Sequence, residues 1–152
     1  MQLALLHVPT EWGKSPMKRN SRLSLALHAL GHMSLEQGEP RTSAHIAAHA
    51  GTNPVVVRRV LGRLREAGLL ISEKGHAGGW KLAKSPTEIT LADIYTALDE
   101  RIVATDGGDE VPSCSLEYAL RDQVSAVMEG IERTLIERLS QTTIAEVCKI
   151  KS

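Results

Sequence analysis

RTSAHIAAHAGTNPVVVRRVLGRLREAGLLISEKGHAGGWKLA, Arg41 to Ala83, reads as helix, tight turn, helix and two-stranded wing. Ser43 to Ala50 is a short apolar-periodic helix, and Thr42 or Ser43 can cap it, because a hydroxyl accepts from the free N–H groups of the first turn. Gly51-Thr52-Asn53 breaks it. Pro54 suits the first position of a second helix, where its missing N–H would have no partner anyway. That helix runs from Pro54 to Ala67, with Val57, Val60, Leu61 and Leu64 on one face at three- and four-residue steps. Arg58, Arg59, Arg63 and Arg65 fall mostly elsewhere. Gly68 can take the left-handed conformation that closes a helix. Leu69-Leu70-Ile71 then predicts a strand, Lys74 to Gly79 a glycine-rich tip and Trp80-Lys81-Leu82 a return strand. Two helices about a glycine turn, the second bearing arginines, is an arrangement that reads DNA. A wing tip with two cations, Lys74 and His76, suits phosphates.

Charge supports this reading. The 152 residues carry 18 Lys+Arg and 18 Asp+Glu, a net charge of zero. Residues 17–84, however, hold 11 Lys+Arg against 4 Asp+Glu, a net of +7, while residues 85–152 hold 6 against 13, a net of −7. Attraction to a polyanion is therefore local to one end. Hydrophobic content of 42% allows a core, but aromatics are 3% and there is no Phe, so the core is Leu, Ile, Val and Ala. Without aromatic platforms, base-stacking recognition of single strands is disfavoured.

Outward from the central stretch, residues 1–16 read as an N-terminal extension, either an upstream mis-start or an ordered arm, with Met17-Lys18-Arg19 resembling a second start. LALLHV within the extension lacks the basic start and small-residue cleavage site of a signal peptide. Ser21 to Leu35 predicts a helix with Leu23, Ala26, Leu27, Leu30 and Ser34 on one stripe. Residues 17–99 then make the winged helix-turn-helix domain, ending in a helix from Thr90 in which Leu91, Ile94, Tyr95 and Leu98 face inward and Asp93 completes a capping box. Residues 100–114 form a polar, acidic, sensor-type loop. Residues 115–152 carry a long helix, Ser115 to Ser140, and a C-terminal segment where Ile144 and Val147 pack. Leu116, Leu120, Val124, Val127, Ile131, Leu135 and Leu139 form its stripe, widened by Met128 and Ile136. About seven turns exceed the needs of a small head, so the stripe predicts a partner helix from a twin subunit. The fold class is mainly α with a small β wing. No stretch is long or apolar enough to span a bilayer, and two cysteines, Cys114 and Cys148, make no disulfide framework. The chain reads as cytoplasmic, with no membrane partner.

GHAGGWKLAKSPTEITLADIYTAL resembles the Rrf-type family of bacterial winged-helix regulators, which includes the iron–sulfur cluster regulator, the nitrite-sensitive repressor and the cysteine-metabolism repressor. The family pattern falls on Gly78-Gly79-Trp80-Lys81-Leu82-Ala83, Pro86 and Ile89-Thr90; SRLSLALHAL and REAGLL match as well. The resemblance covers Met17 to about Val147. It implies a homodimer whose long helices cross and whose two heads read a palindromic operator in double-stranded DNA, as a repressor. Base-reading positions fall on Asn53, Val55, Val56, Arg58 and Arg59, and wing contacts on Lys74, His76 and Gly78. Thr42, Ser43 and Arg63 join the candidate DNA-binding set. An arginine can donate bidentately to guanine, and a valine can touch a thymine methyl. Arg19, Arg22 and Arg41 are candidates for phosphates or for plain solvated surface.

The sensing relatives carry three cysteines in the loop before the long helix; here that loop has only Cys114. One family variant borrows first-helix residues, and His28 matches its histidine, but Ser24 stands at its carboxylate position. A cluster needs about four soft or imidazole ligands, so no cofactor is expected; a cluster-bearing sensor using Cys114 and His28 is an alternative, and a winged-helix protein–protein module another. His28-x3-His32 and His45-x3-His49 have a spacing that zinc sites use, but neither pair has a Cys, Asp or Glu nearby to complete a shell, so no metal site is expected. Cys114 precedes a long helix, whose positive end favours a thiolate, and is a possible sensor of an unidentified small-molecule or redox effector. No nucleophile elbow, paired carboxylates or phosphate loop points to an enzyme.

Overall fold

The computed structural model describes residues 22–36, 38–99 and 114–149. The extension 1–16, Arg19 and loop residues 100–113 lie outside the described residues. In chain order the elements are α1 (Arg22–Leu35), α2 (Ser43–Ala50), α3 (Pro54–Glu66), β1 (Leu70–Glu73), β2 (Gly79–Leu82), α4 (Leu91–Leu98), α5 (Ser115–Ser140) and α6 (Ile144–Lys149).

The caps explain the boundaries. Thr42 Oγ1 accepts from the His45 N–H at 3.2 Å, which starts α2. Gly51, left-handed at φ 65°, ends it. Asn53 Oδ1 then accepts from the N–H groups of Val55 and Val56 at 3.0 and 3.1 Å, and Pro54 opens α3. Val57, Val60, Leu61 and Leu64 are buried, as their spacing predicts. Ile46 and Ala47 of α2 join them in one core with α1, α4, Ile89 and Ile144.

The stripe of α1 is a correction. Leu25, Ala26, Ala29, Leu30 and Met33 are buried, while Leu23 and Leu27 sit at the core margin. This helix is apolar on several faces, so period alone does not say which face its neighbours cover. In α4, Ala92, Ile94, Tyr95 and Leu98 are buried and Leu91 is only half-buried. The capping box forms as predicted: Thr90 Oγ1 accepts from the Asp93 N–H and Asp93 Oδ2 accepts from the Thr90 N–H.

β1 and β2 pair antiparallel, Leu70 opposite Leu82 and Glu73 opposite Gly79. The first strand starts one residue later than the sequence suggests, because Leu69 is spent in the core. The backbone of Arg41 pairs with Trp80 through bonds of 2.9 and 2.8 Å, tying the wing to the start of α2. Leu91 donates to Thr142 and Ile144 to Ile89, each at 2.9 Å, so the chain's end is stitched back to the head. Ile144 is buried, but Val147 is exposed rather than packed.

Helix α5 has the predicted limits and buries no residue of its own. Its stripe divides. Met128, Glu132, Leu135 and Leu139 are half-buried, and α5 meets α4, where Tyr95 Oη donates to Glu132 Oε1 at 2.7 Å. Leu116, Leu120, Val124, Val127 and Ile131 are 50–66% exposed. Among the described residues no helix is long and apolar enough to cross a membrane.

Candidate nucleic-acid interface

With its inner face fully buried, α3 presents the opposite face outward. Val55 and Val56 stand exposed in its first turn, 59% and 36%, followed by exposed Arg58 and Arg59. Among the described residues neither arginine has a partner. The other two arginines of α3 are used within the fold. Arg63 donates to the Leu98 carbonyl at 3.3 Å, fastening α3 to the end of α4. Arg65 donates to Ser72 Oγ at 3.3 Å and lies 6.0 Å from the Trp80 ring centroid, a cation–π distance. The sequence groups Arg63 with the DNA readers; the structure turns it to the protein, because it faces the free carbonyls at the end of α4.

Four further candidate positions also have roles within the fold. Thr42 and Asn53 spend their side-chain oxygens on caps, so Asn53 keeps only its amide N–H₂ for an outside partner. Ser43 Oγ accepts from Trp80 Nε1 at 2.9 Å, locking wing to helix. Gly78 has a steric reason: a Cβ there would sit 2.3 Å from the Glu73 carbonyl oxygen. At Gly79 it would sit 2.7 Å from that of Arg41. The Gly-Gly pair thus lets the return strand pass close to two backbones. Gly78→Ala should cost about 1–3 kcal/mol, the usual range for overpacking, seen as a lower melting temperature by circular dichroism.

Lys74 and His76 are exposed at the wing tip, while Glu73 lower down is paired with Lys81 at 3.0 Å and so does not oppose them. Arg22 lines a cleft of about 450 Å³ with Leu25, Gly51, Thr52, Asn53 and Val56, beside the start of α3. Arg41 differs from that: its guanidinium pairs with Glu36, so it is a structural residue more than a phosphate ligand. Arg58 and Arg59 on α3 and Lys74 and His76 at the wing tip are thus exposed on this head.

Cys114 caps α5 and is exposed. It makes no side-chain capping hydrogen bond, yet the N–H groups of Glu117 and Leu116 aim at its sulfur and lower its pKa from the ordinary thiol value. Cys148 is elsewhere, its Sγ 3.9 Å from the Gly31 carbonyl at the contact of α6 with α1. The loop before α5 contains no other cysteine. Cys114 and Cys148 thus lie in different parts of the fold, one exposed and one half-buried. His28, His32, His45 and His49 meet across α1 and α2, with ring centroids 4.6–5.3 Å apart in sequence of contact. His45 is held below the ordinary histidine pKa by desolvation first, then by His49, Arg41 and His32.

A helix-turn-helix with its second helix offered to solvent, flanked by a β wing, defines the class of winged-helix DNA-binding transcriptional regulators. The model of the Rrf2 family, described as an iron-dependent transcriptional regulator, matches residues 19–150. The chain belongs to that family, whose members are regulators and not enzymes. It is 32% identical over 130 residues to the HTH-type transcriptional regulator YwnA of Bacillus subtilis, covering 84% of this chain and 95% of that protein. It is 30% identical over 133 residues to the HTH-type transcriptional regulator IscR of Yersinia enterocolitica, covering 82% and 76%. Among solved structures, CymR, the global cysteine regulator of B. subtilis, superposes with a TM-score of 0.59 at 25% identity, covering 86% and 95%.

Proposed function

We propose that the protein is a cytoplasmic homodimeric repressor that binds a palindromic operator, carries no iron–sulfur cluster and responds to thiol chemistry at Cys114. The observation that carries the DNA reading is the pair Arg58 and Arg59: two adjacent exposed cations with no partner among the described residues, on a helix whose other face is anchored in the core. With Val55 and Val56 they match the edge of a major groove, where arginine takes guanine and an apolar group takes the thymine methyl. Lys74, His76 and Arg22 flank them for phosphates. The exposed stripe of α5 supports a second copy, which would set two such heads on the two halves of a palindrome. A dimer seated over a promoter blocks transcription from it.

The test is operator affinity against salt. Operators are first selected from random duplexes with the purified protein. Each phosphate contact contributes a slope of about −0.9 in log K against log salt, so a dimer making six to ten contacts should lose about 10³–10⁵ in affinity between 50 and 200 mM salt. A flat response would favour a protein–protein module instead.

For Cys114, the thiolate attacks a disulfide RSSR, forming Cys114–S–S–R and releasing RS⁻. Its lowered pKa places more thiolate at neutral pH than an ordinary cysteine would have. Oxidised glutathione should therefore change operator affinity of the parent protein but not of Cys114→Ser, measured by fluorescence anisotropy. Equal response in both removes the thiol role and leaves the DNA reading intact.

A further inference from the structure

Helix α5 is fixed to the head at two places. Just past its end, the Leu91 N–H donates to the Thr142 carbonyl and the Ile144 N–H to that of Ile89, each at 2.9 Å, so the chain leaving α5 is tied by backbone to the head around the start of α4. Further back along the helix, Tyr95 Oη donates to Glu132 Oε1 at 2.7 Å. Tyr95 is buried, with 3% of its surface exposed, and Glu132 is half-buried. A phenol donating to a carboxylate makes a strong side-chain hydrogen bond, because the acceptor is charged. One turn on from Tyr95, the Leu98 carbonyl accepts from Arg63 of the reading helix at 3.3 Å. Helix α4 thus touches both α3 and α5, with a side-chain bond to each.

One attachment lets a helix swivel; two set its direction. Glu132 lies eight residues before the last residue of α5, about 12 Å at 1.5 Å per residue. Leu116 lies twenty-four residues before it, about 36 Å. Slack of about 1 Å at Glu132 therefore becomes about 3 Å at Leu116, close to the base step of about 3.4 Å along one strand of DNA. The exposed apolar stripe, Leu116 to Ile131, lies wholly beyond Glu132 from the fixed end.

We propose that Tyr95 and Glu132 are positioning residues for operator reading: their bond sets the angle between the head and the pairing stripe of α5, and through it the half-site spacing that the dimer accepts. The inference rests on the dimeric, DNA-reading function and names what sets its spacing. A dimer's half-site separation follows from how its two recognition helices are held. The second head adds affinity only where geometry lets both engage. Loosening the bond therefore acts on how the heads are set, not on what each head reads.

The experiment selects operators from random duplexes with the full-length protein. Anisotropy is then measured on the selected palindrome, on its half-site, and on palindromes with a base pair inserted or removed at the centre. Tyr95→Phe keeps the buried ring and removes only the donor. It should leave the dimer mass, read by sedimentation velocity, and the half-site affinity unchanged. Affinity for the palindrome should fall at least about fivefold, part of the about 10²–10⁴-fold that joining two units contributes, and the penalty for altered spacing should shrink. Glu132→Gln keeps an oxygen that accepts the same bond and should retain the parent's spacing preference. Should Tyr95→Phe fail to fold, Glu132→Ala breaks the bond from α5, which buries no residue of its own, and should give the same split. A merely structural tyrosine would lower the melting temperature without moving the ratio of palindrome to half-site affinity. If Tyr95→Phe and Glu132→Ala keep the parent's ratio and spacing preference, the positioning role falls and the dimeric reading stands. If the parent itself binds the palindrome no better than the half-site, both fall.

Discussion

Arg58→Ala or Arg59→Ala will weaken operator binding about 5- to 150-fold, the 1–3 kcal/mol of discrimination that one bidentate arginine–guanine pair contributes. Specificity should relax at one base pair in each half-site, because the lost contact reads one base. Stability should hardly move. Both side chains are exposed and have no partner among the described residues, and surface changes of that kind stay within about 0.5 kcal/mol. Arg→Lys at the same position separates readout from charge: it keeps the cation for phosphates but loses the planar fork. Binding should then fall while the salt slope stays. Arg63→Ala gives the contrast. Its loss frees the Leu98 carbonyl, so melting should drop more than base preference changes. The measurements are anisotropy titrations on operator duplexes substituted one base pair at a time, with thermal melts of each variant. If both alanine variants at 58 and 59 bind like the parent, α3 does not read the groove through these residues.

That contrast also shows what a one-dimensional pattern can carry. The limits of α2, the limits of α5, the buried face of α3 and the Thr90–Asp93 cap follow from local rules: period, caps and turn residues. Local rules act over three or four residues, so they survive without knowledge of neighbours. The partners of Arg63 and Arg65 do not. Both sit on a charged face, and only the position of Leu98 and Trp80 in space separates them from Arg58 and Arg59. Asn53 and Gly78 fell at reading positions by resemblance, while the geometry gives them a cap and a close backbone approach. The same limit hid the histidine row. His32 and His49 are seventeen residues apart, and nothing in either helix's own period says they meet. The outward face of α5 lay in plain view, since an apolar stripe longer than the head requires has to be covered by something.

Val127→Glu combined with Ile131→Glu will convert the protein to a monomer and lower operator affinity by about 10²–10⁴-fold, the range in which joining two binding units raises avidity. The two residues are 61% and 50% exposed in the single chain, so the substitutions remove little that the head itself needs. Circular dichroism should show the helices retained. In a twofold pair this stripe would face the same stripe of the second copy, where burying each such side chain is worth about 1.5–3 kcal/mol. A carboxylate in its place loses that burial and puts an unpaired charge into a desolvated contact. Sedimentation velocity reads the mass directly, and anisotropy on a half-site and on the full palindrome separates the two causes of weak binding. A true monomer should bind the half-site as the parent's single head does and lose only the gain from the second half. Met128→Ala tests the less exposed side: half-buried within the single chain, it should affect melting of the chain more than pairing of the two. Parent-like mass for the double glutamate variant would mean the stripe is covered in some other way, and the twofold reading of the operator would fall with it.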